Sequence, residues 1–241
     1  MRGKGDGNVK EIHDAELMQD FLLSNQINSV FPDEVKPYLV LYHFDHGDII
    51  CTQGEPAEML YVLVEGKIKI FTTSAEGKAL VLSFKTPLEV IGDIEYVQGN
   101  PMINTVQAVS PVYMIGVHYR WLRKYGQEHP PLLQFLLRII TRKFYIKSNF
   151  LSFNLLHPVE VRLASYLLSV SEEESGTFVM SDPAAYHLTD VANLLGTSYR
   201  HLNRVIQKFS HEGLIERRKG SILIKDRKAL MSVAGGNIYE E

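Results

Sequence analysis

Residues 188–215, L-T-D-V-A-N-L-L-G-T-S-Y-R-H-L-N-R-V-I-Q-K-F-S-H-E-G-L-I, constrain the fold of this chain more than any other stretch. They predict two short helices joined by a tight turn. Val191, Ala192, Leu194 and Leu195 mark one face of the first helix. Thr189 stands before them as a candidate N-cap. Gly196 ends that helix, because only glycine enters the left-handed C-terminal conformation without steric cost. Thr197 or Ser198 then restarts the chain as a second N-cap. Leu202, Val205, Ile206 and Phe209 form the apolar back of the second helix. Its front carries Tyr199, Arg200, His201, Asn203, Arg204 and Lys208. A helix-turn-helix needs this division: an apolar back that fixes the helix and a basic front that enters the major groove. An ordinary helical hairpin with a solvated basic face would show the same periodicity.

Residues 214–224 read as strand, turn, strand, with Gly220-Ser221 at the turn. Arg217, Arg218 and Lys219 fall at the tip, within reach of a phosphate backbone, as in a wing. From Tyr199 to Lys228 there are nine Lys/Arg against three Asp/Glu, while the whole chain carries a net charge of −3. The basic patch is therefore local, and not a bias of composition.

The remainder reads as a cytoplasmic protein. No apolar run approaches the ~18–20 residues of a membrane span. The polar, Gly-rich start lacks the core of a signal peptide, so residues 1–13 read as flexible. One cysteine, Cys51, excludes an internal disulfide and suits a reducing compartment. It sits in an apolar run and reads as a small core residue, with a thiol switch as the alternative. Residues 14–118 form a first domain: a short helix near residues 15–23, then short apolar runs about ten residues apart separated by turn residues, the pattern of an antiparallel barrel or jelly roll. No nucleophile–base pair, phosphate loop or metal-ligand spacing stands out, which argues against an enzyme and gives no metal site.

Residues 130–154 predict a helix with Pro130-Pro131 in its first turn. Leu133, Leu137, Ile140, Phe144 and Leu151 keep a heptad spacing broken at Lys147, and such a seam normally faces another helix. The stripe could instead cover its own barrel, since Leu132, Phe135 and Leu136 widen it. His157-Pro158 marks a hinge into a further helix over 159–170. The acidic stretch 171–176 reads as an exposed loop, followed by a short hairpin of 177–180 with 186–188.

The helix-turn-helix and wing resemble those of the Crp/Fnr family of dimeric bacterial transcription regulators, whose pattern runs L-T-x-x-x-[IA]-A-x-x-[LV]-G-x-[ST], then E-x-x-G-[LI]-I. The phrase T-S-Y-R-H-L, with Arg200 where most members have Glu, resembles the YeiL-like branch. The run Gly47-Asp48-Ile49-Ile50, Gln53-Gly54-Glu55 and the strand from Tyr61 to Gly66 resemble the cyclic-nucleotide-binding fold. The resemblance implies an α+β chain: a cyclic-nucleotide-binding-like β jelly roll (14–118), a dimerisation helix region (119–156) and a winged helix-turn-helix domain (157–241). It implies a homodimer through the long helix, double-stranded DNA and RNA polymerase as partners, and a small-molecule effector of unknown identity.

Within that family, members that bind cyclic AMP open a cassette with Gly-Glu, whose carboxylate accepts a ribose hydroxyl, and close it with Arg-Ser/Thr, whose guanidinium meets the phosphate. Here the opening is Gly92-Asp93, and the closing position, Met102-Ile103-Asn104-Thr105, has no arginine. That argues against cyclic AMP; an unliganded barrel and an unknown effector remain open. Gly92, Asp93, Glu95, Asn104 and Thr105 are the candidate effector contacts, although both acids could be solvated loop residues. Oxygen sensors of the family hold an iron–sulfur cluster with several cysteines, and a lone Cys51 argues against one. No cofactor is expected. The expected DNA contacts are Ser198, Tyr199, Arg200, His201 and Arg204 on the helix, with Arg217, Arg218 and Lys219 on the wing. Arg204 matches the family's contacting arginine. A protein-interaction module that binds no DNA is the alternative function.

Overall fold

The computed structural model describes residues 10–75, 77, 79–174, 177–180, 188–218 and 221–235. The chain divides into two compact units: residues up to 70 with 84–143, and residues 71–83 with 144–241. In chain order the elements before the long helix are β1 (Lys10–Ile12), α1 (Ala15–Ser24), β2 (Val40–Phe44), β3 (Ile49–Cys51), β4 (Met59–Glu65), β5 (Ile68–Thr73), β6 (Ala79–Lys85), β7 (Glu89–Ile91), α2 (Asp93–Gln98), β8 (Thr105–Ala108), β9 (Val112–His118) and α3 (Tyr119–Tyr125). Then follow α4 (Pro130–Leu156), α5 (Val159–Val170), β10 (Glu172–Glu174), β11 (Thr177–Met180), α6 (Leu188–Leu194), α7 (Tyr199–His211), β12 (Ile215–Arg218), β13 (Ser221–Ile224) and α8 (Arg227–Ala234).

The expected jelly roll forms from two sheets, ordered β1-β2-β9-β4-β7 and β3-β8-β5-β6. Strand β9 shows how one sequence builds two cores. Alternate side chains point to opposite faces of a strand. Val112 and Met114 accordingly join Phe44, Leu63, Ile68 and Val106 in one cluster. Ile115 and Val117 join Phe21, Leu122, Leu132 and Phe135 in the other, which carries the helices. Residues 10–12, expected to be flexible, instead form an edge strand. Ile12 pairs with Leu41, and Lys10 makes an ion pair with Asp45 at 3.1 Å. A three-residue strand has no periodicity to read; its partner strand holds it.

The α4 helix settles what its apolar residues do, because it carries two stripes one residue out of step. Leu132, Phe135, Leu136 and Ile139 are buried in the helix-bearing core. The expected seam is turned the other way: Leu133, Leu137 and Phe144 are 45%, 63% and 72% exposed, and Ile140 is half-buried. Leu151 lies on the same helix, and its side chain is outside the described residues.

In the second unit, α5, α6 and α7 bury Leu163, Leu167, Val191, Leu195, Leu202, Ile206 and Phe209. A four-stranded sheet, β10-β11-β13-β12, completes it. Of the loop expected at 171–176, residues 172–174 are extended instead, and residues 175–176 lie outside those described. Glu172–Glu174 is a strand paired with β11, with Glu173 opposite Phe178. An outermost strand keeps one edge unpaired, and charged residues suit it. Of the hairpin partner expected at 186–188, Leu188 opens α6, and residues 186–187 lie outside those described. Helix α8 was not anticipated, although its signals are in the sequence: Asp226 caps it by accepting from Ala229 N at 2.9 Å, and Gly235 closes it.

Candidate nucleic-acid interface

The turn between α6 and α7 is built as its residues dictate. Gly196 takes φ +60°. Its geometry brings the Thr197 N–H onto the Ala192 carbonyl at 2.8 Å, satisfying a helix-end acceptor. The Arg162 guanidinium on α5 donates to the Leu195 carbonyl. Ser198 is the second cap: its hydroxyl accepts from His201 N at 3.2 Å. Thr189, expected as the first cap, lies inside α6 instead.

With Leu202, Val205, Ile206 and Phe209 buried, the opposite face of α7 is fixed outward. Tyr199, Arg200, His201 and Arg204 are exposed and Asn203 is half-buried. Tyr199, Arg200, Asn203 and Arg204 line a surface concavity of about 450 Å³. Among the described residues, no carboxylate pairs with Arg200 or Arg204. Lys208 differs, standing 4.0 Å from Glu160.

The wing pairs Arg218 opposite Ser221, so two residues, Lys219 and Gly220, make the connection. Both lie outside the described residues. Arg217 and Arg218 are exposed but engaged. Arg217 Nη1 donates to Asn203 Oδ1 at 3.0 Å. Arg218 Nε donates to Glu216 Oε1 at 2.9 Å. That hydrogen bond, helped by the charges of Arg218 and Lys225, holds the Glu216 carboxyl below its usual range. The Arg217–Asn203 pairing crosses from strand to helix and leaves no mark in the sequence pattern.

The cassette residues are placed very differently. Gly92 takes φ +87°, and a Cβ there would meet the Met59 carbonyl oxygen at 2.4 Å. Asp93 and Glu95 are buried, not solvated loop acids. Lys143 of α4, which the sequence reading missed, brings its Nζ to Asp93 at 2.9 and 3.0 Å, Glu89 at 3.1 Å and the Val90 carbonyl at 2.5 Å. Burial alone would lower the pKa of this lysine, yet the Glu89 and Asp93 carboxylates together raise it. Glu95 accepts from Ile103 N at 3.0 Å, and Thr105 Oγ1 accepts from Gln53 N at 3.1 Å. Asn104 contributes its carbonyl to the Cys51 thiol at 3.9 Å. Met102, in the closing segment that lacks the family's arginine, is buried in the inter-sheet core. These residues do not fit a cyclic nucleotide: the opening carboxylate is already paired, and the closing position offers no counter-charge to a phosphate. Cys51 packs against the same core, and burial first, then the charge of Glu95, pushes its thiol up to about 12. Such a thiol is a poor nucleophile at neutral pH.

Among the described residues, no helix is long and apolar enough to cross a membrane, and no three His, Cys, Asp or Glu side chains are placed to hold a metal ion.

Two families match the chain: the cyclic nucleotide-binding domain over residues 41–129 and the Crp-like helix-turn-helix domain over residues 161–233. The chain belongs to the Crp/Fnr family. It is similar to the Regulatory protein YeiL of Escherichia coli O157:H7, with 29% identity over 196 residues covering 80% of this chain and 85% of that one. It is also similar to the CRP-like cAMP-activated global transcriptional regulator of Mycobacterium tuberculosis, at 25% identity over 191 residues, 78% of this chain and 84% of that one. A solved CRP/FNR-family transcriptional regulator from Thermus thermophilus shares the fold, with a TM-score of 0.61, 22% identity and coverage of 82% of this chain and 99% of that one.

Proposed function

We propose that this Crp/Fnr member is a cytoplasmic, sequence-specific DNA-binding transcription regulator that works as a homodimer with RNA polymerase as a partner. The observation that carries the reading is the outer face of α7, where Arg200 and Arg204 are exposed with no carboxylate partner among the described residues. Ser198, Tyr199, Arg200, His201 and Arg204 are its contacts in the groove. Ser198 still has its hydroxyl proton to donate, since its oxygen serves the cap as an acceptor. Arg217, Arg218 and Lys219 take the flanking phosphates. An interaction module without DNA binding is not favoured, because it gives no use to so basic a front.

The exposed α4 stripe of Leu133, Leu137 and Phe144 supports the dimer, with Ile140 and Leu151 completing the seam. Two-fold pairing would set two recognition helices against a palindrome. Any gating by an effector works as a population shift between DNA-competent and incompetent dimers. If that effector uses Gly92, Asp93, Glu95, Asn104 and Thr105, it has to displace the Lys143 ammonium from Asp93.

Electrophoretic shifts at two salt concentrations test the reading. Affinity for a selected operator should fall steeply with salt as counterions are released. Affinity that is absent at low salt would overturn it. Phe144→Asp tests the seam: a charge buried there costs on the order of 2–5 kcal/mol of association. Sedimentation should then show a monomer with weakened operator binding; an unchanged dimer would put the seam elsewhere.

A further inference from the structure

Asn203 sits in the middle of the α7 front, one turn after Arg200 and next to Arg204, and lines the concavity with them. It is not an ordinary surface amide. Arg217, reaching across from β12, donates from Nη1 to its Oδ1 at 3.0 Å. A guanidinium has five N–H donors and no acceptor, so the edge of the amide facing it must be the oxygen. The amide orientation, usually ambiguous, is set here by chemistry. The Nδ2 group then occupies the opposite edge.

A free asparagine reads adenine with both edges, accepting from N6 and donating to N7. Asn203 is not free to do so. The second lone pair of Oδ1 remains, but a base amino group approaching it meets the positive guanidinium. The edge left to a base is a donor. In the major groove, guanine offers two acceptors, O6 and N7, and thymine offers O4; adenine sets its N7 acceptor beside the N6 donor, which the held Oδ1 no longer receives, and cytosine N4 is itself a donor.

We propose that Arg217 is a specificity-determining positioning residue: by holding Oδ1 of Asn203 it makes α7 read a hydrogen-bond acceptor, guanine before thymine, at the base pair facing Asn203. The inference rests on the reading of α7 as the helix that enters the groove. It gives Arg217 a role beyond its phosphate contact, since a guanidinium has donors to spare, and it gives Asn203 a role that the sequence alone did not assign.

Selection from randomised duplexes, run on the full chain, tests it. The wild type should select guanine at one position of each half-site. Asn203→Ala should flatten that position and leave the others intact. Arg217→Met, which removes the cation at an exposed site, should free the amide and swing the same position towards adenine by about tenfold. Arg217→Lys, which keeps a charged donor, should retain guanine. The inference is overturned if Arg217→Met lowers affinity for all sequences alike with the motif unchanged, or if Asn203→Ala leaves the motif intact. A wild type that enriches no sequence would overturn the underlying reading as well, so the two failures are distinguishable.

Discussion

In the cassette between Gly92 and Thr105, three polar side chains proposed as contacts are turned inward: Asp93 to Lys143, Glu95 to the Ile103 amide, Thr105 to the Gln53 amide. Along α7, between Ser198 and Lys208, most are turned outward, and Arg200 and Arg204 meet no carboxylate among the described residues. Both regions are rich in polar residues, and by composition either could pass for a binding site. The difference lies in what is left unsatisfied. A polar group that already has its partner must lose one contact to make another, and in a buried setting that loss outweighs the gain. A solvated arginine loses little on meeting a phosphate or a guanine and releases counterions as it does so.

The sharpest way to break this comparison is to open the closed side. Lys143→Met would leave Asp93 buried without its cation, and Glu89 with only Lys85 at 3.9 Å, and should cost about 3–5 kcal/mol, measured by urea unfolding. A cost below about 1 kcal/mol, the range of exposed pairs, would mean that the cassette acids are solvated after all. The pH dependence has a definite sign. The folded pKa of Lys143 is raised above the ordinary 10.5. Its contribution is therefore fully present below 10.5 and is lost as pH rises through the raised value. The wild type should show an alkaline loss of stability that Lys143→Met lacks.

On the open side, Arg200→Ala should cost about 1–3 kcal/mol on the selected operator and much less on random DNA, because its fork matches the two acceptors of guanine. Equal losses on both would pass base reading to His201 or Arg204. Arg218→Ala is the intermediate case. Arg218 must exchange Glu216 for a phosphate, so its removal should weaken specific and random DNA alike by less than Arg200→Ala does, with a flatter salt dependence. A steeper slope would contradict a phosphate contact. The smallest effect expected is none: cyclic AMP should shift neither the melting temperature nor the DNA affinity, since a ligand of the native state must stabilise it. A melting shift of several degrees at micromolar cyclic AMP would show that the cassette can open.

The same contrast divides what was legible in the sequence. The α7 front could be read because its signals are local: a 3.6-residue period, Gly196, and Ser198 as a cap. The wing was legible for the same reason, as two short runs around a glycine. The cassette's missing arginine was visible, but the lysine that occupies its opening acid was not, because Lys143 lies 50 residues from Asp93. No spacing rule links a helix lysine to an acid on another element. The Asn203–Arg217 bond spans 14 residues and two element types, and is hidden in the same way. Strands β1 and β10 were missed because tertiary pairing outweighed a polar, turn-like sequence. In α4, the sequence showed that the helix was apolar in excess of one stripe, and only the packing of Leu132 against the barrel decided which stripe was left over.

The two stripes of α4 also govern how the gene for this chain can change length. Each residue of an α-helix advances about 100°. A single codon inserted between Leu137 and Phe144 would carry everything after it around the helix, taking Phe144 out of line with Leu137 and Leu133. Substitutions on either face can be tested one at a time by selection, but an insertion misaligns the whole exposed stripe at once. Insertions or deletions of about seven residues nearly restore the phase. Variation in the length of this helix should therefore come in steps of about seven.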